Sequence, residues 1–476
     1  MQRSIYSCWI TMSFIIISAA AEAQTGNARL VPRPAAITYG PSAASLQNGF
    51  SITTNDAALK KLIPVLHEEL YLLTGLKPAP GNGQGIAIRL AVTPGMGAET
   101  YQLRVNGDVD VRGGSYQAVA EGTVTLLQLI NKQNGLPEVD IRDSAAFAYR
   151  ALMIDVARSW HSVETLKKII SLCRWYKIKY LQLHLTDDQS FTLPSNAYPS
   201  LSTKNRHYTA ADLKVLNEYA GNRGVTIIPE IDVPSHSSSL IAAMPGLFGI
   251  KNQKENSYTV NMGSEKTYQA LNVIIGETAR LFPQSPYIHI GGDEVFAGGM
   301  ENDSSIQRFM QQHSLHSLTE LYQYFITRMC SFVKGYGKQP VIWSGFQKDN
   351  KVKIPRDVLV MEYETANYAP QELVNDGYKI INASFNPLYV VNNRRWDPAY
   401  IYSHWNAFNW KAETEYPGDY EGMNLPPGGN VVGASMSAWE QAEEKEIPSL
   451  RMRLGAMSER LWSAHKRDET AFMQDL

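Results

Sequence analysis

The stretch YIHIGGDEVFAGG at residues 287–299 places two carboxylates side by side, Asp293 and Glu294, directly after a pair of glycines. Neighbouring carboxylates repel each other, so this pairing costs stability unless the two groups differ in protonation or in task. Hydrolysis of a glycosidic bond normally uses two carboxylates on opposite sides of the bond, roughly 5–9 Å apart. Adjacent residues cannot easily flank a bond in this way. Either the partner acid lies elsewhere, or the substrate supplies its own nucleophile.

Other polar and aromatic residues also stand at the ends of predicted strands. The set consists of Asp155, Arg158, Asp187, Asp188, Glu230, Asp232, Trp343 and Trp439. A helix cap or a loop salt bridge would explain any one of these acids. All of them together indicate a shared site, because the carboxyl ends of barrel strands meet at one mouth. Carboxylates, an arginine and tryptophans around a cleft suit a sugar, whose ring faces stack on aromatic side chains and whose hydroxyls bind charged groups.

The elements that must position these residues begin near Tyr149, where apolar runs start to alternate with amphipathic helical segments. Eight runs predict strands: ALMIDVAR, YLQLHLTDD, VTIIPEIDVP, YIHIGGDEV, QPVIWSG, VLVMEYE, KIINASF and NVVGASMSAWE. Helices such as SVETLKKIISLCRWYKI and SEKTYQALNVIIGETARLF separate several of them. Nearly continuous apolar strands between helices indicate a parallel sheet that is covered on both faces. The fold class is therefore predicted to be α/β, a (β/α)8 TIM barrel, with a doubly wound open sheet as the alternative.

A small α/β domain is predicted to precede this barrel. The 476 residues suggest two domains, which we expect at 24–145 and at 146–476, the second being catalytic. In the first, LKKLIPVLHEELYLLTG and GSYQAVAEGTVTLLQLI have helical spacing, whereas GIAIRLAV, ETYQLRVNGD and VDVRGG predict short strands. The segment NGLPEVDIRDS is predicted to cross into the barrel.

The N-terminus predicts export. Residues 1–23 have an early arginine, an apolar run and small residues before Ala23, the pattern of a signal peptide that is cleaved there. The apolar run is shorter than the roughly 20 residues of a membrane span, so we expect a periplasmic or secreted protein without stable membrane insertion. Cys8 would leave with this peptide. Cys173 and Cys330 are expected to be buried apolar residues, although a single bridge between them stays open.

The composition narrows the class of partner. A net charge of −2 gives no reason to expect nucleic acid as a partner, and 10% aromatic residues are compatible with a sugar-binding cleft. No cofactor or metal is expected, because a metal-dependent barrel hydrolase would need clustered imidazoles, and the strands offer only the single histidines of LHL and IHI. From the residues alone the expected partner is a sugar or glycan, and the sequence does not predict the oligomeric state.

The motifs resemble those of the glycoside hydrolase family 20 β-N-acetylhexosaminidases. HIGGDEV resembles the signature of that family, and FAYRALMIDVARSW and YKIKYLQLHLTDDQSF resemble its first two barrel strands. IPEIDVPSHSSSLIAAMPGL resembles its third strand, MRLGAMSERLWS its closing helix, and residues 98–130 the small domain before the barrel. The resemblance spans almost the whole mature chain in the correct order, and its motifs are long and specific.

The resemblance implies a retaining exo-β-N-acetylhexosaminidase, which removes terminal β-linked N-acetylglucosamine or N-acetylgalactosamine. In such enzymes the acetamido oxygen of the substrate attacks its own anomeric carbon to give an oxazolinium intermediate, an exception to the two-carboxylate rule. Glu294 would be the general acid and later the base, and Asp293 would hold the acetamido N–H. An ionised Asp293 and a pocket of rings should raise the pKa of Glu294, which helps it stay protonated near neutrality.

The same resemblance implies substrate binding by a larger set of residues, namely Arg158, Asp187, His236, Trp343, Tyr363, Tyr389, Trp439 and Gln441. Arg158 would grip ring hydroxyls, with an ion pair to Asp155 as the alternative, and Asp187 would organise the acid. His236 would lie near the acid and the leaving group, although a structural histidine is nearly as well supported. Trp343 and Trp439 would wall the sugar pocket, and Tyr389 would donate to the acetamido oxygen. His184 and His289 are expected to support the site from inside the barrel.

The sequence departs from the family pattern on one side of the sugar. Val391 and Gln441 stand where the family usually has acids that contact O4 and O6, and Tyr363 stands where a tryptophan is common. Ser235 replaces a glycine, and the residues after Trp343 are not acidic. Loss of two negative groups would relax the rejection of an anionic substituent, such as a 6-O-sulfate. The segment at 392–420 either adds substrate contacts or packs on the domain.

Two alternatives to simple exo-hydrolysis stay open. The departures at Val391 and Gln441 keep a non-catalytic glycan-binding barrel possible, although a degenerate relative would be expected to lose the acid first. An enzyme of the same family could also release a disaccharide, in the manner of a lacto-N-biosidase.

Overall fold

The computed structural model describes residues 28–79, 85–250, 258–392, 394–411, 423–463 and 466–476. The predicted signal peptide, Cys8 and the end of the segment at 392–420 lie outside the described residues.

The first part of the chain forms a six-stranded sheet. Its strands are β1 (Ala36–Ser45), β2 (Phe50–Thr54), β3 (Ile86–Val92), β4 (Thr100–Asn106), β5 (Asp108–Gly113) and β6 (Gly135–Ser144), in the spatial order β1-β6-β4-β5-β3-β2. Helices α1 (Leu62–Thr74) and α2 (Tyr116–Leu129) complete the domain. The hydroxyl of Ser115 accepts a hydrogen bond from Ala118 N and so caps the start of α2.

The prediction of the segment that crosses between the two domains is wrong. NGLPEVDIRDS does not cross between the domains, because residues 135–144 form strand β6, which lies between β1 and β4. Leu136, Val139 and Ile141 are buried, with more accessible polar residues between them. The glycine and proline in this run disguised that pattern, and the chain enters the barrel only between Ser144 and Tyr149.

The described residues of the second part form twelve strands. They are β7 (Tyr149–Asp155), β8 (Tyr180–His184), β9 (Thr226–Glu230), β10 (Tyr287–His289), β11 (Gln339–Trp343), β12 (Leu359–Glu362), β13 (Lys379–Asn382), β14 (Tyr389–Val391), β15 (Arg394–Arg395), β16 (Asn409–Trp410), β17 (Met423–Asn424) and β18 (Val431–Ala438). Strands β7 to β13 pair in parallel in chain order, and β18 pairs with both β13 and β7. The sheet is therefore closed, which confirms the predicted TIM barrel and excludes the open sheet.

The described residues of this part also form twelve α-helices, most of which lie between strands. They are α3 (Val163–Trp175), α4 (Ala210–Asn222), α5 (Ser238–Ala243), α6 (Pro245–Phe248), α7 (Glu265–Leu281), α8 (Ser304–Gln312), α9 (Leu318–Gly335), α10 (Pro370–Asn375), α11 (Phe385–Leu388), α12 (Pro398–His404), α13 (Glu443–Trp462) and α14 (Glu469–Asp475). The longer ones cover the barrel with an apolar face. In α3, for example, Leu166, Ile169, Ile170 and Cys173 are buried at helical spacing.

Cys173 on α3 and Cys330 on α9 are both buried and unpaired, as the sequence predicted. Within the described residues, none of the helices is long and apolar enough to cross a membrane.

The interior of the barrel is a separate apolar cluster that ends in rings at the mouth. Alternate residues of each strand point inward, so Met361 and Tyr363 lie on the same side of their strand. Tyr149 and Tyr180 begin β7 and β8 and lie at the amino end of this cluster. Trp343 ends β11 and packs with Trp439, which follows β18, at the carboxyl end. The packing of the interior therefore places aromatic rings at the carboxyl ends of the strands.

The segment between β13 and β18 is packed where the structure describes it. Strand β14 pairs in parallel with β18, and β15 returns antiparallel to β14. Helix α12 packs against α13, and Tyr402, Trp405 and Trp410 are buried. The predicted packing on the domain thus applies to this part, and the further substrate contacts remain a prediction.

Candidate active site

The two neighbouring carboxylates follow β10 on a tight turn at the mouth of the barrel. Gly291 has φ 67° and Gly292 has φ 107°, values in the left-handed region that favours glycine. A Cβ on Gly291 would lie 1.7 Å from Asp232 Oδ1, so only glycine fits there. The turn ends with Asp293 and Glu294, and Glu294 itself has φ 48°.

Asp293 is the buried member of the pair. Burial raises the pKa of its carboxyl group to about 6, helped by the negative charges of Glu230 and Glu294 and opposed by His236. Its Oδ2 lies 3.8 Å from His236 Nε2. Its Oδ1 is buried and has no hydrogen-bond partner in the described part of the protein. This oxygen is therefore a buried acceptor that can receive an N–H from a ligand.

Glu294 behaves in the opposite way. Its side chain is 62% exposed, and its Oε2 lies 3.4 Å from His236 Nε2. The hydrogen bond to His236 lowers the pKa of Glu294, and burial is too slight to reverse the effect. The predicted rise in the pKa of Glu294 is therefore wrong for this state of the protein, because water reaches the carboxylate and a cation stands beside it.

His236 is a cation that lies between Asp187, on the loop after β8, and Glu294, on the turn after β10. Burial would lower its pKa, but Asp232, Asp187 and Glu294 outweigh that effect and raise it to about 12. Its Nδ1 lies 3.5 Å from Asp187 Oδ1, and the hydroxyl of Tyr258 lies 2.9 Å from Nε2. Sequence reasoning missed Tyr258, which follows no strand, so only the folded loop brings it here.

Arg158 is bound by two carboxylates. Its Nη2 lies 2.8 Å from Asp187 Oδ2, and its Nη1 lies 3.4 Å from Asp155 Oδ2. Burial opposes its charge, but Asp187 and Asp155 outweigh burial and raise the pKa of Arg158. The guanidinium carbon also lies 4.9 Å from the ring centroid of Trp439. The ion pair with Asp155 that was the alternative is present, and it fixes the guanidinium at the wall of the site.

A buried polar chain supports the site from below. His184 Nε2 lies 2.7 Å from Asp187 Oδ2, and its Nδ1 lies 3.1 Å from Glu230 Oε2. Trp343 donates its Nε1–H to Glu230 Oε1 at 2.7 Å, and His289 Nδ1 lies 3.2 Å from the same oxygen. The histidines thus lie inside the barrel, as predicted. Glu230 is the centre of this chain, a role that its place at a strand end did not reveal.

The four predicted aromatic residues form one wall. Ring centroids of Trp343 and Trp439 are 6.0 Å apart, those of Tyr389 and Trp439 are 6.1 Å apart, and the Tyr363 and Tyr389 rings are nearly parallel at 6.2 Å. Burial raises the pKa of Tyr389, and the charge of Asp293 raises it further. The charge of Asp293 therefore acts on the hydroxyl of Tyr389 in this wall.

Gln441 is fully buried beside this wall. Its Nε2 donates to Trp439 O at 2.8 Å, and its Oε1 accepts from Arg395 Nη2 at 2.7 Å. The contact of Gln441 with substrate remains a prediction, and the structure adds Arg395 as the exposed group that it holds. Asp188 accepts hydrogen bonds from Ser238 N and Oγ, so it caps α5 as the simpler interpretation held.

Three groups of histidine and carboxylate side chains within the described residues bring ligand atoms within 4.8 Å of one another. The groups are His184–Glu230–Asp232, Asp187–Asp188–His236 and Asp232–His236–Asp293. Neighbouring carboxylates raise the pKa of His184 and of His236, which favours both imidazoles as hydrogen-bond donors within these groups. The chemistry of these groups suits a charged hydrogen-bond network.

Comparison with known proteins agrees with this geometry. Residues 147–465 match the catalytic domain of glycosyl hydrolase family 20, and residues 27–144 match domain 2 of that family. The chain is 28% identical over 385 residues to a beta-hexosaminidase of Vibrio furnissii, covering 74% of this chain and 62% of that protein. It is 27% identical over 403 residues to the beta-hexosaminidase subunit alpha of Bos taurus, covering 79% and 74% of the two chains.

The fold is also that of solved structures. The crystal structure of beta-N-acetylhexosaminidase from Bacteroides fragilis has a TM-score of 0.79 and 21% identity, covering 94% of this chain and 93% of that chain. The matched catalytic domain includes all eight barrel strands, the turn after β10, the buried polar network around Glu230 and the aromatic wall. The chain therefore belongs to glycosyl hydrolase family 20.

Proposed function

We propose that this glycoside hydrolase is a retaining exo-β-N-acetylhexosaminidase, which removes terminal β-linked N-acetylglucosamine or N-acetylgalactosamine from glycans. The observation that carries the proposal is Asp293 Oδ1, a buried acceptor without a partner in the described residues, on the residue next to Glu294. An acetamido N–H is the donor that fits it. The relatives named beta-hexosaminidase support the same activity.

The reaction follows from this pairing. Glu294, in its acid form, donates its proton to the glycosidic oxygen as the bond from that oxygen to C1 breaks. The acetamido oxygen attacks C1 and closes an oxazolinium ring, whose positive charge the ionised Asp293 stabilises through the N–H. Water then attacks C1 and gives a proton to Glu294 while the bond from C1 to the acetamido oxygen breaks and restores the acetamido group, so two inversions leave the β configuration. Tyr389 donates to the acetamido oxygen in this proposal, a role that its position in the aromatic wall supports.

Substrate binding raises the pKa of Glu294, so that this carboxyl group takes up a proton in the complex. In the free protein His236 lowers the pKa of this carboxyl group, and its side chain is 62% exposed. A sugar that covers the side chain removes water from it, and loss of hydration raises the pKa of a carboxyl group. The acid is therefore formed in the complex, where the leaving group needs it.

The test compares paired chromogenic substrates. Glycosides with a 2-acetamido group should be hydrolysed at least about 100-fold faster than their 2-hydroxy equivalents, because only the former carry the nucleophile. A thiazoline mimic of the cyclised intermediate should inhibit. Equal rates on both substrates, or no inhibition, would overturn the mechanism.

Glu294→Gln separates the enzyme from the alternatives. It should lose turnover of a saccharide substrate and keep affinity, whereas a non-catalytic glycan-binding barrel would have no turnover to lose. Release of disaccharides in place of single sugars from a defined glycan would favour the lacto-N-biosidase alternative.

We also infer that a 6-O-sulfated terminal sugar is tolerated. Val391 and Gln441 replace two carboxylates, and the amide of Gln441 holds the exposed cation of Arg395 beside β14. A neutral or positive surface repels a sulfate less than two carboxylates would. Rates on 6-sulfated and plain N-acetylglucosaminides should lie within about tenfold of each other, and Arg395→Met should lower only the sulfated rate. Preference for the plain sugar by orders of magnitude would refute this.

We propose that the mature chain is exported after cleavage near Ala23. The pattern at residues 1–23 supports this. N-terminal sequencing of the protein recovered from the periplasm or the medium should begin at Gln24, and an intact Met1 would contradict the proposal.

A further inference from the structure

Three loops at the mouth are joined by a ring of hydrogen bonds that the proposed chemistry does not use. Phe296 N–H donates to Ser235 Oγ at 3.3 Å, Ser235 Oγ lies 2.9 Å from Thr259 Oγ1, and Thr259 Oγ1 donates to Phe296 O at 2.7 Å. One assignment of donors satisfies all three bonds, with the Ser235 hydroxyl donating to that of Thr259. Both hydroxyl side chains are fully buried. We call this the Ser235–Thr259–Phe296 ring.

The ring joins the loops that surround the general acid. Its serine precedes His236, its threonine follows Tyr258, and its phenylalanine lies two residues after Glu294. His236 Nε2 lies 3.4 Å from Glu294 Oε2 and 2.9 Å from the hydroxyl of Tyr258. Glu294 and Tyr258, which contact the imidazole from these loops, are therefore each within two residues of a ring member.

The backbone near the ring is strained. Glu294 has φ 48° and His236 has φ 51°, values that cost free energy for residues other than glycine. Such conformations persist only where the surrounding structure holds them. The ring fixes both backbone polar groups of Phe296, so it limits how far the loop after Glu294 can relax.

We propose that the Ser235–Thr259–Phe296 ring positions the carboxylate of Glu294 for proton transfer to the leaving group. The inference rests on the proposed function, in which Glu294 is the general acid. Ser235 and Thr259 act through Glu294 and are positioning residues. Loss of either hydroxyl leaves a backbone group of Phe296 without its partner in the ring, and the loop then moves to satisfy that group.

Leaving groups of different strength test the role. A saccharide leaving group must be protonated as it departs, whereas 2,4-dinitrophenolate departs without a proton. In Ser235→Ala and in Thr259→Val, kcat/KM for a saccharide substrate should fall about 10- to 100-fold, part of the gain that general acid catalysis supplies. For the 2,4-dinitrophenyl N-acetylglucosaminide the loss should stay below about threefold.

Matched variants separate positioning from stability. Thr278 is also buried, and its hydroxyl donates to Ile274 O at 2.9 Å within helix α7, which is none of the three loops. Thr278→Val should lower the unfolding temperature and leave the ratio of the two rates unchanged. Thr259→Ser, which keeps a hydroxyl, should recover most of the loss. Should an Ala or Val variant be insoluble, Ser235→Cys supports the same comparison, because its thiol is a weaker donor.

The outcomes distinguish this inference from the proposed function. Equal losses on both substrates in the ring variants, with Glu294→Gln still selective for the good leaving group, would overturn the ring's role alone. If Glu294→Gln itself loses both substrates equally, the proposed general acid is wrong. An unchanged inhibition constant for the thiazoline shows that the sugar pocket has kept its shape.

Discussion

Asp293 and Glu294 are adjacent in the chain, yet their surroundings give them opposite acidities. Burial raises the pKa of Asp293 to about 6, whereas the imidazolium of His236 lowers the pKa of the exposed Glu294. The sequence predicted both residues and their partners Arg158, His236 and the aromatic wall. It could not predict the order of the two pKa values, because the exposure of Glu294 depends on its backbone φ of 48°, which the residue types in the turn do not indicate.

The raised pKa of Asp293 predicts an acid limb in the activity. The mechanism needs its ionised form, which is populated above the folded pKa of about 6 and is lost as the pH falls below it. The pH profile of kcat for a 2-acetamido glycoside, measured at saturation where the bound sugar keeps Glu294 in its acid form, should therefore fall on the acid side as Asp293 gains a proton.

Asp293→Asn should lower kcat by at least about 100-fold, since the amide carries no charge to stabilise the cation, and it should flatten this limb. Asp188→Asn, which alters a helix cap, should keep the limb. A limb that persists unchanged in Asp293→Asn belongs to another group and would contradict the assignment.

At the scale of elements, the barrel strands were predictable and part of the first sheet was not. Strands such as β7 are buried on both faces and stand out as apolar runs. Strands β1 and β6 are only partly buried and contain Gly40 and Pro137, so they look like loops until their neighbours pair with them. Tyr258 and the Ser235–Thr259–Phe296 ring were likewise invisible, because loops meet only in the fold.

The turn after β10 is the element on which the site depends. Gly291→Ala would force φ 67° on a residue with a Cβ and place that carbon 1.7 Å from the buried Asp232 carboxylate. We expect a loss of roughly 2 kcal/mol or more in the free energy of unfolding, because backbone strain and overlap add, together with a large loss of kcat.

Gly335→Ala is the matched control. Gly335 ends α9, and a Cβ there would meet nothing within 4 Å. This variant should be neutral or slightly more stable. Denaturant unfolding and kcat measure both variants, and an active, stable Gly291→Ala would show that the turn tolerates a side chain.

At the scale of the whole molecule, a buried ionic network fastens the first domain to the barrel. Lys177 Nζ lies 2.9 Å from Tyr101 Oη and 3.5 Å from Asp143 Oδ2, and it lies 4.3 Å from the ring centroid of Trp462. Arg150, fully buried, pairs with Glu121 at 2.5 Å. The two domains are therefore joined by ion pairs that are buried from water. Separation of the domains would expose these charges or leave them buried without a partner.

Asp143→Ala tests this coupling, because it leaves the Lys177 ammonium buried without its anion. Removal of one partner from a buried pair costs about 3–5 kcal/mol, so the free energy of unfolding should fall by that order while kcat at low temperature changes little. Arg104→Ala breaks a pair that is 56% and 34% exposed, and should change stability by less than about 1 kcal/mol.

The pH dependence of Asp143→Ala separates a charge effect from a packing defect. Burial lowers the pKa of Lys177 from 10.5, so above the folded pKa the unfolded chain binds more protons than the folded one. The free energy of unfolding then rises with pH, and without Asp143 this rise should be steeper. The difference in the free energy of unfolding between the variant and the native protein should narrow as the pH approaches 10.5, the ordinary pKa of lysine. A difference that is constant across this range would mean that lost packing, and not the stranded charge, destabilises the variant.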